Sequence, residues 1–156
     1  MKKRMTIKEC IDKFDALNPN QYSEEVKVDW LSRLDNQIYT DIILTHEPKL
    51  FPPHPPTPYF VFSESHIDRE HEMPVPIPPE FEPYSTDDMA KRLLVPFPYD
   101  ELYIAYLNMK TDEANKESAQ YNNSATLFNS YYTSFACEYN KKYAPKNRAR
   151  YRMWSK

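Results

Sequence analysis

The spacing of apolar residues in the first third of the chain predicts two helices. Thr6 and Glu9 have the spacing of a capping box, in which each side chain satisfies a free backbone N–H group of the other residue. Apolar residues follow every three or four positions until Asn18 and Pro19 end this helix, so we place it at about 6–17. A second helix, at about 24–45, is predicted to begin after the N-cap Ser23. We expect its buried face to consist of Val26, Trp30, Leu31, Leu34, Ile38 and Ile42.

Helical spacing returns near residue 100 and predicts two more helices, at about 100–115 and 118–143. The polar stretch 111–118 favours a turn near Asn115, with one continuous helix as the alternative. The last helix carries an aromatic seam whose members are four and three residues apart in turn, and Pro145 closes it. A stripe at this spacing is more often a packing surface than a ligand site. We expect it to pack against the bundle or a neighbouring subunit through Tyr121, Ala125, Phe128, Tyr132, Phe135 and Tyr139.

The middle of the chain has a different composition, because 13 of the 15 prolines lie between residues 48 and 98. Proline lacks a backbone donor and disfavours helix in the residue before it, so this segment is predicted to be extended and partly polyproline II. Only the stretch from Phe60 to Phe62 is a candidate strand. Apolar residues between the prolines favour an ordered arm on a neighbouring subunit, which would bury Phe60, Phe62 and Ile77, over a mobile insertion.

These patterns together predict a mainly α fold. We expect a small bundle of about four helices, with a long proline-rich extended segment and an extended C-terminal arm. The N-terminal helix pair (1–47) and the C-terminal helices (99–144) should pack as one domain. The proline-rich insertion (48–98) separates them, and the basic arm (145–156) follows.

Charge is distributed unevenly along the chain. Residues 141–156 hold seven basic side chains and no acid, whereas the other 140 residues hold 13 Lys and Arg against 23 Asp and Glu. Within the arm, basic and apolar residues alternate, as in an extended strand with one basic and one apolar side. Arginine can grip a carboxylate with two hydrogen bonds, and tryptophan often anchors an interface. The arm is therefore a candidate docking segment, with Arg148, Arg150, Tyr151, Arg152, Met153 and Trp154 as its contact residues.

No residue pattern in the sequence predicts catalysis. The chain has no glycine, which disfavours phosphate-binding loops and dinucleotide-binding turns because these need close backbone approach or positive φ. His66 and His71 are five positions apart and do not match a zinc-protease helix. Cys10 and Cys137 are expected to be free thiols buried on helical faces. We therefore predict no enzyme activity, no cofactor, no metal site and no membrane span.

Three stretches carry a resemblance to a known family. They are TIKECIDKFDALNPNQYSEEVKVDWLSRLDNQIYTDII, LVPFPYDELY from Leu94 to Tyr103, and YNNS from Tyr121, followed by Phe128 and Asn129. In these the chain resembles the head–tail connector (adaptor) proteins of tailed bacteriophages, over roughly residues 5–46 and 93–146. It departs from them in the long proline-rich segment, which such proteins often replace with something shorter.

The resemblance implies a non-enzymatic structural protein of the virion neck, assembled in the cytoplasm of the host bacterium. Such proteins form a homo-oligomeric ring, usually dodecameric, beneath the portal protein, and join the head to the neck or tail component below. They help to retain packaged DNA, so non-specific contact with that DNA is also expected. The resemblance makes the basic arm a candidate for docking on the portal.

The alternative hypothesis is a helical DNA-binding regulatory protein that uses the basic C-terminal arm. It predicts Lys and Arg clustered on a recognition helix, and none of the four predicted helices has such a cluster. An enzyme with an unrecognised site is a third hypothesis.

Two paired substitutions test the docking arm. If both of its faces contact the portal, Tyr151→Ser/Trp154→Ser and Arg148→Gln/Arg150→Gln should each weaken portal attachment in a pull-down assay. A purely electrostatic contact, including one with DNA, depends on charge alone and would be weakened only by the Arg pair. Portal binding that survives deletion of 146–156 would contradict the hypothesis.

Overall fold

The computed structural model of the protein describes residues 4–46 and 80–143. The prediction of a mainly helical fold is confirmed. The helices are α1 (Ile7–Leu17), α2 (Glu24–Ile38, continued by a π-helical turn over Tyr39–Ile43), α3 (Glu101–Ala114) and α4 (Ser118–Lys142). Two strands, β1 (Arg4–Thr6) and β2 (Arg92–Pro96), and a 3-10 turn (Thr86–Asp88) complete the described part. The expectations for Phe60, Phe62 and Ile77, and for the arm 145–156, lie outside the described residues.

The local signals at the helix ends are largely present. The Glu9 amide donates to the Thr6 hydroxyl (3.1 Å) and the Thr6 amide to the Glu9 carboxylate (2.9 Å), which confirms the capping box. Ser23 is the N-cap of α2, but its side chain makes no capping hydrogen bond. The turn predicted near Asn115 separates α3 from α4. Because the chain lacks glycine, Lys116 takes the positive φ of that turn, at 60°.

The buried face of α2 is rotated slightly from the one predicted. Val26 is 36% exposed, whereas Val28 is buried together with Leu31, Leu34 and Ile38. The prediction for Val26 was therefore wrong. Val26 and Val28 both have helical spacing to later apolar residues, and only the position of the packing partners decides between them.

A small sheet, which the sequence did not predict, joins the two halves of the chain. β1 and β2 are antiparallel, with Arg4 opposite Pro96, Thr6 opposite Arg92 and an irregularity between these pairs. Their inward face places Met5, Leu93 and Val95 in the core. Residues 92–96, which we assigned to the extended insertion, are extended but form part of the folded core. β1 has only three residues, and β2 has three consecutive apolar residues, Leu93 to Val95, so neither shows an alternation of apolar and polar positions.

The core lies between α1, α2, α3 and the sheet. Tyr103 and Phe14 are the largest of its fully buried side chains, and Ile11, Leu34, Leu93 and Leu107 surround them. α4 packs chiefly on α3 and contributes Phe128 and Phe135 to the core.

A buried carboxylate, Asp35 on α2, connects the elements of the core. The Tyr103 hydroxyl donates to Asp35 Oδ1, and the Tyr84 hydroxyl (2.6 Å) and the Leu94 amide (3.2 Å) donate to Oδ2. The adjacent Val95 amide donates to the Tyr103 hydroxyl oxygen (2.9 Å). Side chains of α2 and α3 thus satisfy two backbone amides of β2.

The burial of Asp35 produces a pH-dependent contribution to stability. Desolvation raises the pKa of this carboxyl from 3.8 to about 6, although the hydrogen bonds from Tyr103, Tyr84 and Leu94 oppose the shift. Because the folded chain then binds the proton more tightly than the unfolded chain, the stabilisation is complete below about pH 4. It is lost as the pH rises through about 6.

We predict that the unfolding free energy of the wild type falls relative to that of Asp35→Asn between pH 4 and pH 7. The expected relative loss is ~3 kcal/mol, because one pKa unit corresponds to ~1.4 kcal/mol and the Asn amide does not titrate. Asp35→Asn should therefore cost most stability at low pH. Urea unfolding of both proteins across this range measures the difference, and parallel curves would contradict the prediction.

Candidate subunit interface

Over residues 118–137, the outward side of α4 is an exposed helical surface without charge. Residues 118–137 contain no Asp, Glu, Lys or Arg, although most of them lie on the surface. One stripe of this surface, here called the uncharged face, consists of Asn123, Leu127, Ser130, Tyr131 and Ser134, all exposed. Leu127 is 47% exposed and Tyr131 36%. Depletion of charge together with exposed aromatic and aliphatic residues is typical of the centre of a protein–protein interface.

The aromatic seam predicted from the sequence lies on the opposite side of α4 and packs within the chain. Phe128 and Phe135 are buried, and Tyr132 and Tyr139 are partly buried against the core. The Phe128 ring lies 5.2 Å from that of Tyr106 on α3, and the Phe135 ring 6.2 Å from that of Tyr99. Tyr121 is half-buried and lies outside the core cluster. The seam is thus engaged largely in intramolecular contacts, whereas the uncharged face lies on the other side of α4.

A groove of about 470 Å³, here called the basic groove, lies at the C-terminal end of α4. The outward face of the sheet contributes Arg4, Arg92, Leu94 and Pro96, and the end of α2 contributes Ile43. The remaining lining residues are Tyr99, Phe135, Glu138, Tyr139, Lys142 and Tyr143. Lys142 pairs with Glu138 (2.9 Å), whereas Arg4 and Arg92 form no ion pair with any of the described carboxylates.

His46 fixes the two helix ends beside this groove. Its Nδ1 lies 2.7 Å from the Ile42 carbonyl oxygen, and its Nε2 lies 2.6 Å from Asn140 Oδ1 on α4. The imidazole also meets the Tyr139 ring edge to face at 5.1 Å. These contacts join the end of α2 to the last turns of α4, which extend past the start of α3. The groove wall is therefore held by buried contacts.

The two cysteines differ in their surroundings. Cys10 is buried, and burial raises the pKa of its thiol above the usual range. Cys137 is exposed, so the expectation that both thiols are buried was wrong for this residue. Cys137 directly follows Ala136 on α4. Ala136 is the residue that packs against the core, and Cys137 is therefore turned away from it. Within 4–46 and 80–143, no three His, Cys, Asp or Glu side chains are grouped so that they could hold a metal ion.

No protein-family model, no curated protein and no solved structure matches this chain. None of the described helices is both long and apolar enough to cross a membrane. The assignment of a role therefore rests on the surfaces described above and on the sequence resemblance.

Phe128→Ala should destabilise the isolated protein, because it removes a buried ring between α3 and α4. Truncation of a buried aromatic residue costs ~3–5 kcal/mol, a large share of the stability of a small domain. The adjacent Leu127→Ala provides a matched control on the exposed side of the same helix and should change stability by less than ~0.5 kcal/mol. Thermal melts of the two variants would contradict the packing described here if both matched the wild type.

Proposed function

We propose that this chain is a structural subunit of a tailed-phage virion that forms a ring beneath the portal. The ring joins the head to the neck or tail component and helps to retain packaged DNA. In this role the chain is not an enzyme and needs no cofactor. The observation that carries the proposal is the uncharged face of α4.

A charge-free surface of this length requires a partner to explain it. Residues 118–137 extend over ~30 Å of helix at 1.5 Å per residue. An exposed helix of a monomer normally carries charged residues opposite its buried stripe. Burial of a charge in an interface is costly unless it is paired, so surfaces that are buried on assembly tend to lack charge. The uncharged face fits a subunit that packs against identical neighbours.

The helical fold supports the proposal in a second way, because the resemblance implies a small helical protein. The segments that the sequence predicts to be extended fit the same role as further contacts: Phe60, Phe62 and Ile77 on an adjacent subunit, and the arm 145–156 on the portal. The alternative role, a DNA-binding regulator, needs basic residues along a helix face. The only cations of α4 are Lys141 and Lys142 at its C-terminal end, so this helix offers no such face.

Electron microscopy of the purified protein, alone and mixed with the portal protein of the same phage, tests the proposal. We expect a stoichiometric ring attached to one end of the portal. A chain that remains monomeric in both samples would overturn the proposed function.

Leu127→Asp and Tyr131→Asp should each prevent ring formation and leave the fold intact. Both positions are exposed in the single chain, but in the ring the new carboxylate would be buried without a partner. Such a charge costs ~3–5 kcal/mol, which is ~10²–10³-fold in the association constant. Gln37→Asp, which adds the same charge to an exposed position on α2, is the control. Sedimentation of the three variants measures the effect, and equal association of all three would exclude the uncharged face as the interface.

A further inference from the structure

The basic groove has the composition of a site for a partner that is both acidic and apolar. Leu94, Phe135 and Tyr139 form apolar walls, and Arg4 and Arg92 stand beside them without a carboxylate partner in the described part of the chain. An apolar ligand would leave both guanidinium groups unpaired, whereas a purely anionic ligand would leave the walls unused. An occupant that satisfies the groove carries carboxylates next to an exposed apolar side chain.

The corner between α1 and α2 carries this combination. We define the acidic corner as Leu17, Glu24, Glu25 and Val26. Leu17 is 61% exposed and Val26 is 36% exposed. Leu17 is among the most exposed large apolar side chains of the described residues. Glu24 and Glu25 are exposed, and no Lys or Arg of the described residues forms an ion pair with either.

Hydrogen bonds order the connection between α1 and α2, next to the acidic corner. Lys27, two positions after Glu25, is buried and paired with Asp15 (2.6 Å), so it does not neutralise the two glutamates. The Asn20 amide also donates to Asp15 (2.7 Å), and the Tyr22 hydroxyl donates to Asn115 on the α3–α4 turn (2.7 Å). A surface that is already ordered loses little conformational entropy when it binds.

The groove and the corner lie at opposite ends of the molecule. α2 begins at the corner, with Glu24, and its π-helical continuation ends at the groove, with Ile43. The 19 intervening steps correspond to roughly 28 Å at 1.5 Å per residue. The corner of one chain therefore cannot reach its own groove, but it can reach the groove of another copy.

We propose that the basic groove receives the acidic corner of a second copy of this chain, so that neighbouring subunits contact head to tail. Glu24 and Glu25 then pair with Arg4 and Arg92, and Leu17 lies against the apolar wall. A contact between two different surfaces of identical subunits closes into a ring when the rotation permits. This inference rests on the proposed function and specifies one contact of that ring.

The charges argue against two other occupants. The residues that follow α4, 144–156, include Lys146, Arg148 and Arg150 and no Asp or Glu, so the groove arginines repel them. Nucleic acid would contact the arginines through its phosphates but would leave the apolar wall unused.

Two charge-reversed variants of the full chain test the proposal. The groove variant is Arg4→Glu/Arg92→Glu and the corner variant is Glu24→Arg/Glu25→Arg. Each variant alone places like charges opposite each other, and its self-association should weaken at least ~100-fold. An equimolar mixture pairs the reversed groove of one with the reversed corner of the other, so it should assemble to the wild-type level. Sedimentation velocity measures both effects, and circular dichroism verifies that each variant is folded.

A third variant tests the apolar half of the contact and leaves the groove unchanged. Leu17→Asp keeps both glutamates, lies at an exposed position and should weaken association while the thermal melt stays unchanged. Wild-type association of either charge-reversed variant alone would overturn the proposal, as would a mixture of folded variants that fails to assemble.

The outcomes separate this contact from the proposed function. If both charge-reversed variants still form portal-attached rings, the head-to-tail contact is wrong and the connector function stands. If the wild type associates through the groove but never attaches to a portal, the contact stands and the function fails. A groove variant that forms rings but loses portal attachment would assign the groove to the portal and overturn the second-copy contact.

Discussion

The fold depends on one buried acceptor, the carboxylate of Asp35. It receives hydrogen bonds from α3 through Tyr103, from the segment before β2 through Tyr84, and from the Leu94 amide of β2 itself. The Tyr103 donor is buried and the other two are partly buried, and the loss of a hydrogen-bond partner costs ~1–3 kcal/mol for a buried group. The raised pKa of Asp35 shows that the same burial penalises its charge. The carboxylate is tolerated because three donors converge on it, and it specifies how the two halves of the chain meet.

Local signals in the sequence were sufficient to predict the helices. The capping box at Thr6, the stop at Asn18 and the turn near Asn115 depend on neighbouring residues, and each lies where it was predicted. The Asp35 hydrogen bonds join residues 49 to 68 positions apart in the chain, and the sheet pairs residues 86 to 92 positions apart, so no local pattern contains either. Val26 and Cys137 illustrate a finer limit. Periodicity identifies the apolar side of a helix, but the packing partners decide which residues at its border are buried.

The candidate interface was partly visible in the sequence. The aromatic seam of α4 follows a clear period, and the structure places it against α3 within the chain. The uncharged face left a different signal, an absence of charged residues over 118–137, which is a matter of composition and has no period. The basic groove left no signal, because Arg4 and Arg92 approach each other only when β1 pairs with β2. Surfaces built from two distant segments become apparent only in the folded chain.

The buried network and the exposed surfaces are consequences of the same arrangement. Asp35 and Tyr103 hold β2 in place through two of its amides, and the outward face of the sheet, with Arg4, Arg92 and Leu94, forms the floor of the groove. α4 has 25 residues and α3 has 14, so the end of α4 extends past the start of α3. This end forms a wall of the groove, and His46 holds it in place through Asn140. Both the floor and the wall are thus anchored in the core. A groove anchored in this way is formed before a partner arrives, and the free energy of binding is then spent on contacts and little on ordering the site.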